Sequence, residues 1–235
     1  MESPLILSES DRPHEILRRL RKTIAIRDED FAATLVAKKT HDPFRILVVT
    51  ILSQNCTDVA ALRAYYRLDR RVGVKVTQLQ KARVRTIENA IRVAGLHKQK
   101  ARALRQLSLT IAEKYSGKFT SLLGGGFNEV RDRLQELPNV GPKTADVLLS
   151  ILGQPTISVD THVDRVSKRL GLAPEKGRYE IVRSALMQAF LTEDYRLVPM
   201  YFMALGRKIC RARRPLCPKC PINELCPYPK KTKRI

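Results

Sequence analysis

The sequence predicts an all-α fold. Apolar residues recur every three or four positions along most of the chain, as on one face of an amphipathic helix. No segment shows the sustained two-residue alternation of a half-buried strand, and there is no internal repeat or low-complexity tract. With 235 residues, of which 43% are hydrophobic, the chain is long enough for one large domain or two small ones with a sizeable core.

The helical segments follow one another with glycine or proline between them, and we expect helices of about 8–18 residues. The second segment, which begins after Asp42-Pro43, is strongly apolar and should lie at the centre of a core. The apolar positions of the successive segments are Ile16, Leu17, Leu20 and Ile24; Phe44, Leu47, Val48, Ile51 and Leu52; Val59, Leu62, Tyr66 and Leu68; Ile87, Ile91 and Val93; Ala101, Leu104, Leu107 and Ile111; and Val147, Leu148, Ile151 and Leu152.

The charge balance of the chain is strongly basic. Lysine and arginine number 44 against 23 acidic residues, which gives a formal net charge of +21. Residues 81–105 contain eight basic residues and one acidic residue. Residues 206–235 contain ten basic residues and one acidic residue. The positive electrostatic field of such a chain attracts a polyanion and favours DNA as the partner. A basic protein with no nucleic-acid role, or one on an anionic membrane surface, would have a similar composition.

The chain has no features of a membrane or secreted protein. It contains no run of 18 apolar residues, and its N-terminus lacks the basic and apolar regions of a signal peptide. We therefore expect no membrane association, and a location in the cytoplasm with the nucleoid in a prokaryote or in the nucleus of a eukaryote. Disulfides are rare in these reducing compartments, so clustered cysteines there indicate metal binding.

Four of the five cysteines lie close together, in the pattern Cys210-x6-Cys217-x2-Cys220-x5-Cys226. Thiolates at this spacing can converge on one centre, and both zinc and an iron–sulfur cluster accept four of them. The spacing alone does not choose between the two. The segment from about residue 215 has too few apolar residues for a core, so a metal centre would hold it together. We interpret Cys56 as a small, partly buried residue without a ligand role.

The segment Leu137-Pro138-Asn139-Val140-Gly141 predicts a turn between two helices. Pro142 suits the first position of the second helix, whose free backbone N–H groups can bind a phosphate. Lys143 would lie in its first turn, where the helix dipole and partial desolvation favour the neutral amine. A neutral amine can attack an electrophilic sugar carbon and form an imine. The alternative for Lys143 is an ordinary surface lysine.

Asp160 precedes a further helical stretch, from Thr161 to Leu170, and its position is typical of an N-cap. Capping and catalysis are compatible, because a cap holds the carboxylate rigidly. A carboxylate fixed near Lys143 could accept its proton, or stabilise positive charge on a sugar as a base departs.

In this order and spacing, the hairpin, the segment Val159-Asp160-Thr161-His162 and the four cysteines resemble the endonuclease III branch of the helix-hairpin-helix DNA glycosylases. The resemblance covers about residues 43–226. Two residues depart from the family pattern. Asn139 stands where a glycine is frequent, and since asparagine tolerates left-handed backbone angles we expect the turn to survive. Gln135 stands where some members carry an acid.

The resemblance implies two helical lobes with DNA bound in a cleft between them. A six-helix lobe, residues 38–155, would contain the helix-hairpin-helix motif. A discontinuous lobe, residues 1–37 plus 156–235, would carry a 4Fe–4S cluster in a C-terminal loop. We expect the protein to act as a monomer on double-stranded DNA that contains damaged bases or abasic sites.

The resemblance also implies roles for individual residues. Lys143 would be the nucleophile and Asp160 the catalytic carboxylate, and the hairpin residues Val140, Gly141 and Thr144 would contact DNA. Leu96 and His97 would form a wedge that enters the base stack while the damaged nucleotide flips out. Gln54 or Asn55 would fill the gap that this nucleotide leaves. The cluster ligands would be Cys210, Cys217, Cys220 and Cys226.

These observations predict a bifunctional DNA glycosylase and abasic-site lyase, and the resemblance alone suggests oxidised pyrimidines as substrates. A monofunctional mismatch or adenine glycosylase is the nearest alternative, but such relatives typically lack the lysine at position 143. An 8-oxoguanine enzyme would share Lys143 and Asp160 but usually lacks the cysteine cluster. A non-catalytic DNA-binding protein with a zinc knuckle is the alternative from another class.

Overall fold

The computed structural model describes residue 8, residues 10–229 and residues 231–232. Over these residues the regular structure consists of twelve α-helices and short 3₁₀ turns, without a strand, which confirms the all-α prediction. The helices are α1 (Arg12–Thr23), α2 (Ala32–Thr40), α3 (Pro43–Ser53), α4 (Asp58–Arg71), α5 (Val76–Lys81), α6 (Val84–Ile91), α7 (His97–Lys114), α8 (Phe127–Gln135), α9 (Pro142–Ile151), α10 (Thr161–Arg169), α11 (Tyr179–Ala189) and α12 (Leu197–Lys208).

The chain divides into two compact units. Unit 1 comprises Met1–Ile26 and Pro155–Ile235, and unit 2 comprises Arg27–Gln154. The first boundary therefore differs from the one expected between residues 37 and 38, which would cut through α2. Ala32 and Val36 of α2 are almost completely buried in the core that surrounds α3. Packing of α2 on α3 thus keeps residues 27–37 in unit 2.

Helix α3 forms the centre of unit 2, as its sequence predicts. Phe44 and every residue from Ile46 to Leu52 are buried. The helix begins at Pro43, and the Asp42 carboxylate caps it by accepting hydrogen bonds from the backbone N–H groups of Phe44 at 2.9 Å and Arg45 at 3.3 Å. Because all faces of α3 are covered, the loop that follows it starts from a fixed point.

The buried face of α4 differs from the prediction. Val59 and Tyr66, expected on that face, are 57% and 43% exposed. Leu68 is buried as predicted, and Ala61, Ala64 and Tyr65 are buried in place of Val59 and Tyr66, at the same three- and four-residue spacing. The sequence of α4 contains two overlapping apolar patterns, and the one that includes alanine allows close packing against α3.

Unit 1 has its own core, to which α1, α10, α11 and α12 contribute. Helices α10 and α12 pack closely because of Gly206. A Cβ at this position would lie 2.9 Å from the Cβ of His162, closer than such atoms approach in folded proteins. This close packing fixes the start of α10, where Asp160 lies. Among the described helices, we find none with the length and apolarity that crossing a membrane requires.

Candidate active site and metal centre

The predicted hairpin joins α8 to α9 in unit 2. Leu137 and Val140 are 3% exposed and anchor the turn in the core. Asn139 adopts the left-handed conformation with φ of 65°, so the turn forms with asparagine at this position, as expected. Gly141 precedes α9, which begins at Pro142. The N–H groups of the first turn of α9 are therefore available to an anion.

A buried ion pair joins the two helices of the hairpin. Arg131 of α8 donates from Nε and Nη2 to the two carboxylate oxygens of Asp146 of α9, at 2.8 and 2.9 Å. Asp146 is fully buried and the Arg131 side chain is 13% exposed. Two parallel charge-assisted bonds fix direction as well as distance, so they set the angle between the helices.

Lys143 lies in the first turn of α9 and its side chain is exposed. The structure thus places the amine at the positive end of the helix, as the sequence predicts. Partial desolvation of this amine stays a prediction.

Gln54 supports the hairpin from the loop after α3. Its Nε2 donates to the carbonyl oxygen of Asn139 at 3.2 Å and to Oγ1 of Thr144 at 3.1 Å, and its Oε1 accepts from Nδ2 of Asn139 at 3.0 Å. Thr144 is 4% exposed. Because the side chains of Val140 and Thr144 are buried, a DNA contact at these residues would use the backbone. Asn55, next to Gln54, is exposed and left-handed, with φ of 50°.

The expected wedge lies in the loop before α7. Leu96 is 53% exposed although it is apolar, and its φ of 45° is in the left-handed region. This conformation is strained for any residue other than glycine. Residues that are held in such strained conformations cluster at functional sites. His97 begins α7, and its Nε2 lies 3.6 Å from Oε1 of Glu88. A Cβ placed on Gly95 would be 4.0 Å from the carbonyl oxygen of Asn55, so the two loops run side by side.

Asp160 is the N-cap of α10 in unit 1, as predicted. Its Oδ1 accepts hydrogen bonds from the backbone N–H groups of His162 and Val163, both at 2.8 Å. The carboxylate is half-buried and its orientation is fixed by these two bonds. Burial lowers the pKa of the neighbouring His162, whose Nδ1 lies 3.0 Å from Nη2 of Arg165.

The four clustered cysteines line one pocket in unit 1, with about 400 Å³ of atom-free space, part of it open to solvent. None of them is in a disulfide. Apolar side chains of α10, α12 and the C-terminal segment form most of the remaining wall. Burial raises the pKa of the Cys220 thiol to about 11, and it raises that of Cys226 as well. In the described part of the chain, no three His, Cys, Asp or Glu side chains converge on a point suited to one metal ion.

Arg169, at the end of α10, supports the cysteine pocket. Its Nη1 donates to Sγ of Cys210 at 3.3 Å and to the carbonyl oxygen of Arg211 at 2.7 Å, and its Nη2 donates to that of Ala212 at 3.0 Å. The guanidinium lies 4.7 Å from the ring centre of Tyr228. Neither Arg169 nor the hairpin support by Gln54 was identified from the sequence, because the partners are more than 40 positions away and no local pattern marks them.

The sequence of the chain is similar to those of known DNA repair proteins. Residues 48–190 match the family model described as HhH-GPD superfamily base excision DNA repair protein. Endonuclease III of Sulfolobus acidocaldarius is 33% identical over 93% of this chain and 96% of that protein. Endonuclease III of Bacillus subtilis is 36% identical over 79% of this chain and 81% of that protein.

Solved structures agree as well. The chain superposes with a TM-score of 0.76 on a trapped endonuclease III–DNA covalent intermediate, at 29% identity over 94% of this chain and 97% of that one. A thermostable thymine-DNA glycosylase, at 22% identity and a TM-score of 0.72, shares the fold. Because the family model matches more than half of the chain and the sequence similarity extends over nearly the full length of a relative, the chain belongs to the HhH-GPD superfamily of base excision DNA repair proteins, in its endonuclease III group.

Proposed function

We propose that this chain removes oxidised pyrimidines from DNA and cleaves the resulting abasic site, with Lys143 as its nucleophile. Its family membership establishes the coarser activity, that of a base-excision DNA glycosylase and lyase. One observation supports the finer assignment most directly: an exposed lysine in the first turn of α9, beside N–H groups that can hold a phosphate. The amine and the phosphate site lie on one rigid element.

In the proposed reaction, the neutral amine of Lys143 attacks C1′ of the flipped nucleotide. A new C–N bond forms while the bond from C1′ to the base breaks, and the base leaves with the bonding pair and gains a proton. The sugar ring opens to an imine, which loses a proton from C2′ and expels the 3′ phosphate. Water then hydrolyses the imine and restores Lys143. The capped carboxylate of Asp160 serves as proton acceptor or stabilises the developing positive charge.

The DNA contacts follow from exposure and hydrogen bonding. Backbone N–H groups at Gly141 and in the following turn hold a phosphate, which sets register without reading sequence. Leu96 is exposed and apolar, as a residue that enters the base stack should be. Asn55 fills the gap left by the flipped nucleotide, because the amide of Gln54 already holds the hairpin. His97 supports the Leu96 loop at the start of α7.

We further propose that Cys210, Cys217, Cys220 and Cys226 hold a 4Fe–4S cluster. Four thiols around one pocket with about 400 Å³ of atom-free space suit a centre of several atoms. The apolar wall and the Arg169 donor to Cys210 suit a buried anionic cluster. The cluster supplies a structural centre that holds the C-terminal segment. Iron and sulfide analysis should give roughly four of each per chain, and stoichiometric zinc would contradict the assignment.

The nucleophile is tested by borohydride trapping. Wild-type protein, Lys143→Gln and the surface control Lys118→Gln are each incubated with an abasic-site duplex and sodium borohydride. We expect a covalent protein–DNA band from the wild type and from Lys118→Gln only. A band from Lys143→Gln would identify another amine as the nucleophile. Binding without a band from any of the three would favour a monofunctional glycosylase.

The substrate class is tested separately, with duplexes that carry one oxidised pyrimidine, one 8-oxoguanine or one mismatch. Base release is measured before strand cleavage is allowed to proceed, and preference for a purine lesion would overturn the pyrimidine assignment. Such DNA lies in the nucleoid of a prokaryote or the nucleus of a eukaryote, where we place the protein, acting as a monomer.

A further inference from the structure

Lys100 is a buried cation that the proposed chemistry does not use. The residue is 2% exposed, and its Nζ donates to the carbonyl oxygens of Leu52 at 2.7 Å and Ala94 at 2.8 Å. Burial lowers its pKa. Lys100 is one of the eight basic residues counted as a DNA footprint between positions 81 and 105. Its burial removes it from that surface and calls for another role.

The two carbonyl groups lie just before the loops that carry the proposed DNA contacts, Leu52 in the last turn of α3 and Ala94 at the end of a 3₁₀ turn. Leu52 is three residues before Asn55, and Ala94 is two residues before Leu96. Asn55 and Leu96 both have left-handed backbone angles, with φ of 50° and 45°. Such conformations are costly and persist only where the surroundings hold them. The ammonium group of Lys100 is therefore placed to fix both loops at their bases.

A lysine suits this position for geometric reasons. Its ammonium group has three donors at the end of a long aliphatic side chain. One side chain from α7 can therefore reach carbonyl groups of two separate segments. Bonds from a charged donor are shorter and stronger than neutral ones. A neutral apolar replacement would leave two buried carbonyl groups unsatisfied and would free the loops to move apart.

The same network extends to the catalytic hairpin. Gln54, two residues after Leu52, donates to the Asn139 carbonyl oxygen and to Thr144, and accepts from the Asn139 amide. Three segments are thus joined through short contacts: the wedge loop, the loop after α3, and the turn that precedes Lys143. All of them lie in unit 2.

We propose that Lys100 is a positioning residue for nucleotide flipping, which holds Leu96 and Asn55 in register with the hairpin. The proposal rests on the proposed function, because it assumes that these two residues enter the DNA stack. It predicts that loss of the amine impairs the opening of a duplex more than the chemistry at an already exposed sugar. A lysine needed only for folding would affect both equally.

The test compares Lys100→Met with wild type on two abasic substrates, one a duplex and one single-stranded. We expect the rate of borohydride-trapped imine on the duplex to fall roughly 10- to 100-fold, and the rate on the single strand to change by no more than about twofold. Fluorescence of 2-aminopurine beside the abasic site should rise with wild type and not with the variant. Equal losses on both substrates, or an unchanged duplex rate, would overturn the proposal.

Two further measurements keep the outcome clear. Should Lys100→Met not fold, Lys100→Gln, which retains an amide donor, is compared in the same way. The fluorescence comparison is also made in the Lys143→Gln background, where no imine forms. If the wild type forms no trapped band on the duplex or on the single strand, the proposed function is refuted. The fluorescence difference between Lys143→Gln with and without the Lys100 substitution would still decide the role of Lys100.

Discussion

Removing Arg131 from its ion pair with Asp146 should cost several kcal/mol, because the carboxylate that remains is completely buried. In Arg131→Met the side chain keeps its length and apolar stem, but the Asp146 carboxylate loses both guanidinium bonds while it stays at 0% exposure. Removing one member of a buried pair typically costs about 3–5 kcal/mol, since the remaining charge loses two bonds that stabilise it in the protein interior. We expect the free energy of unfolding to fall by this amount.

Urea denaturation followed by circular dichroism measures the effect. With a slope of about 2 kcal/mol per molar urea, the midpoint should fall by roughly 1.5–2.5 M. The control is Lys114→Met, which removes an exposed ion pair with Glu136 and should cost less than about 1 kcal/mol. The double variant Arg131→Met, Asp146→Leu should recover most of the loss. A cost below about 1 kcal/mol for Arg131→Met would refute the reasoning.

Two further predictions concern the turn and the first helix. Asn139→Ala should be less stable than Asn139→Gly by roughly 1 kcal/mol in urea denaturation, because both lose the bond to Gln54 but only alanine is strained at φ of 65°; equal stabilities would contradict this. Hydrogen bonds from Arg18 and then Arg19 lower the pKa of Glu15 to about 2. The stabilisation by this carboxylate is therefore complete above the ordinary value of 4.5 and is lost as the pH falls towards 2. After allowance for solvent screening, Glu15→Gln should cost about 0.5–1 kcal/mol at neutral pH and nothing near pH 2. Thermal melts across this range measure the difference, and a difference that does not change with pH would count against the assignment.

The parts of the site that sequence predicted have short-range causes. The hairpin follows from Pro138, Asn139, Gly141 and Pro142, whose backbone preferences act within a few residues. The cap at Asp160 is likewise local, and both form as expected. The clustering of the four cysteines is also a local property, since they lie within 17 residues of sequence.

The parts that sequence missed depend on distant contacts. Gln54 and Asn139 are 85 positions apart, and Lys100 reaches back 48 positions to Leu52. A count of basic residues does not tell which way a side chain points, so Lys100 was grouped with surface lysines.

The discontinuity of unit 1 has a consequence for synthesis on the ribosome. Helix α1 packs on α12, yet its apolar residues Ile16, Leu17 and Leu20 leave the ribosome roughly 180 residues before α12 does. At about 5–20 residues per second, that interval is on the order of 10–35 s. Unit 2 is contiguous in sequence, and its synthesis is completed within this interval. The apolar face of α1 therefore stays uncovered until α12 has been synthesised, and we expect this helix to be prone to aggregation during that interval.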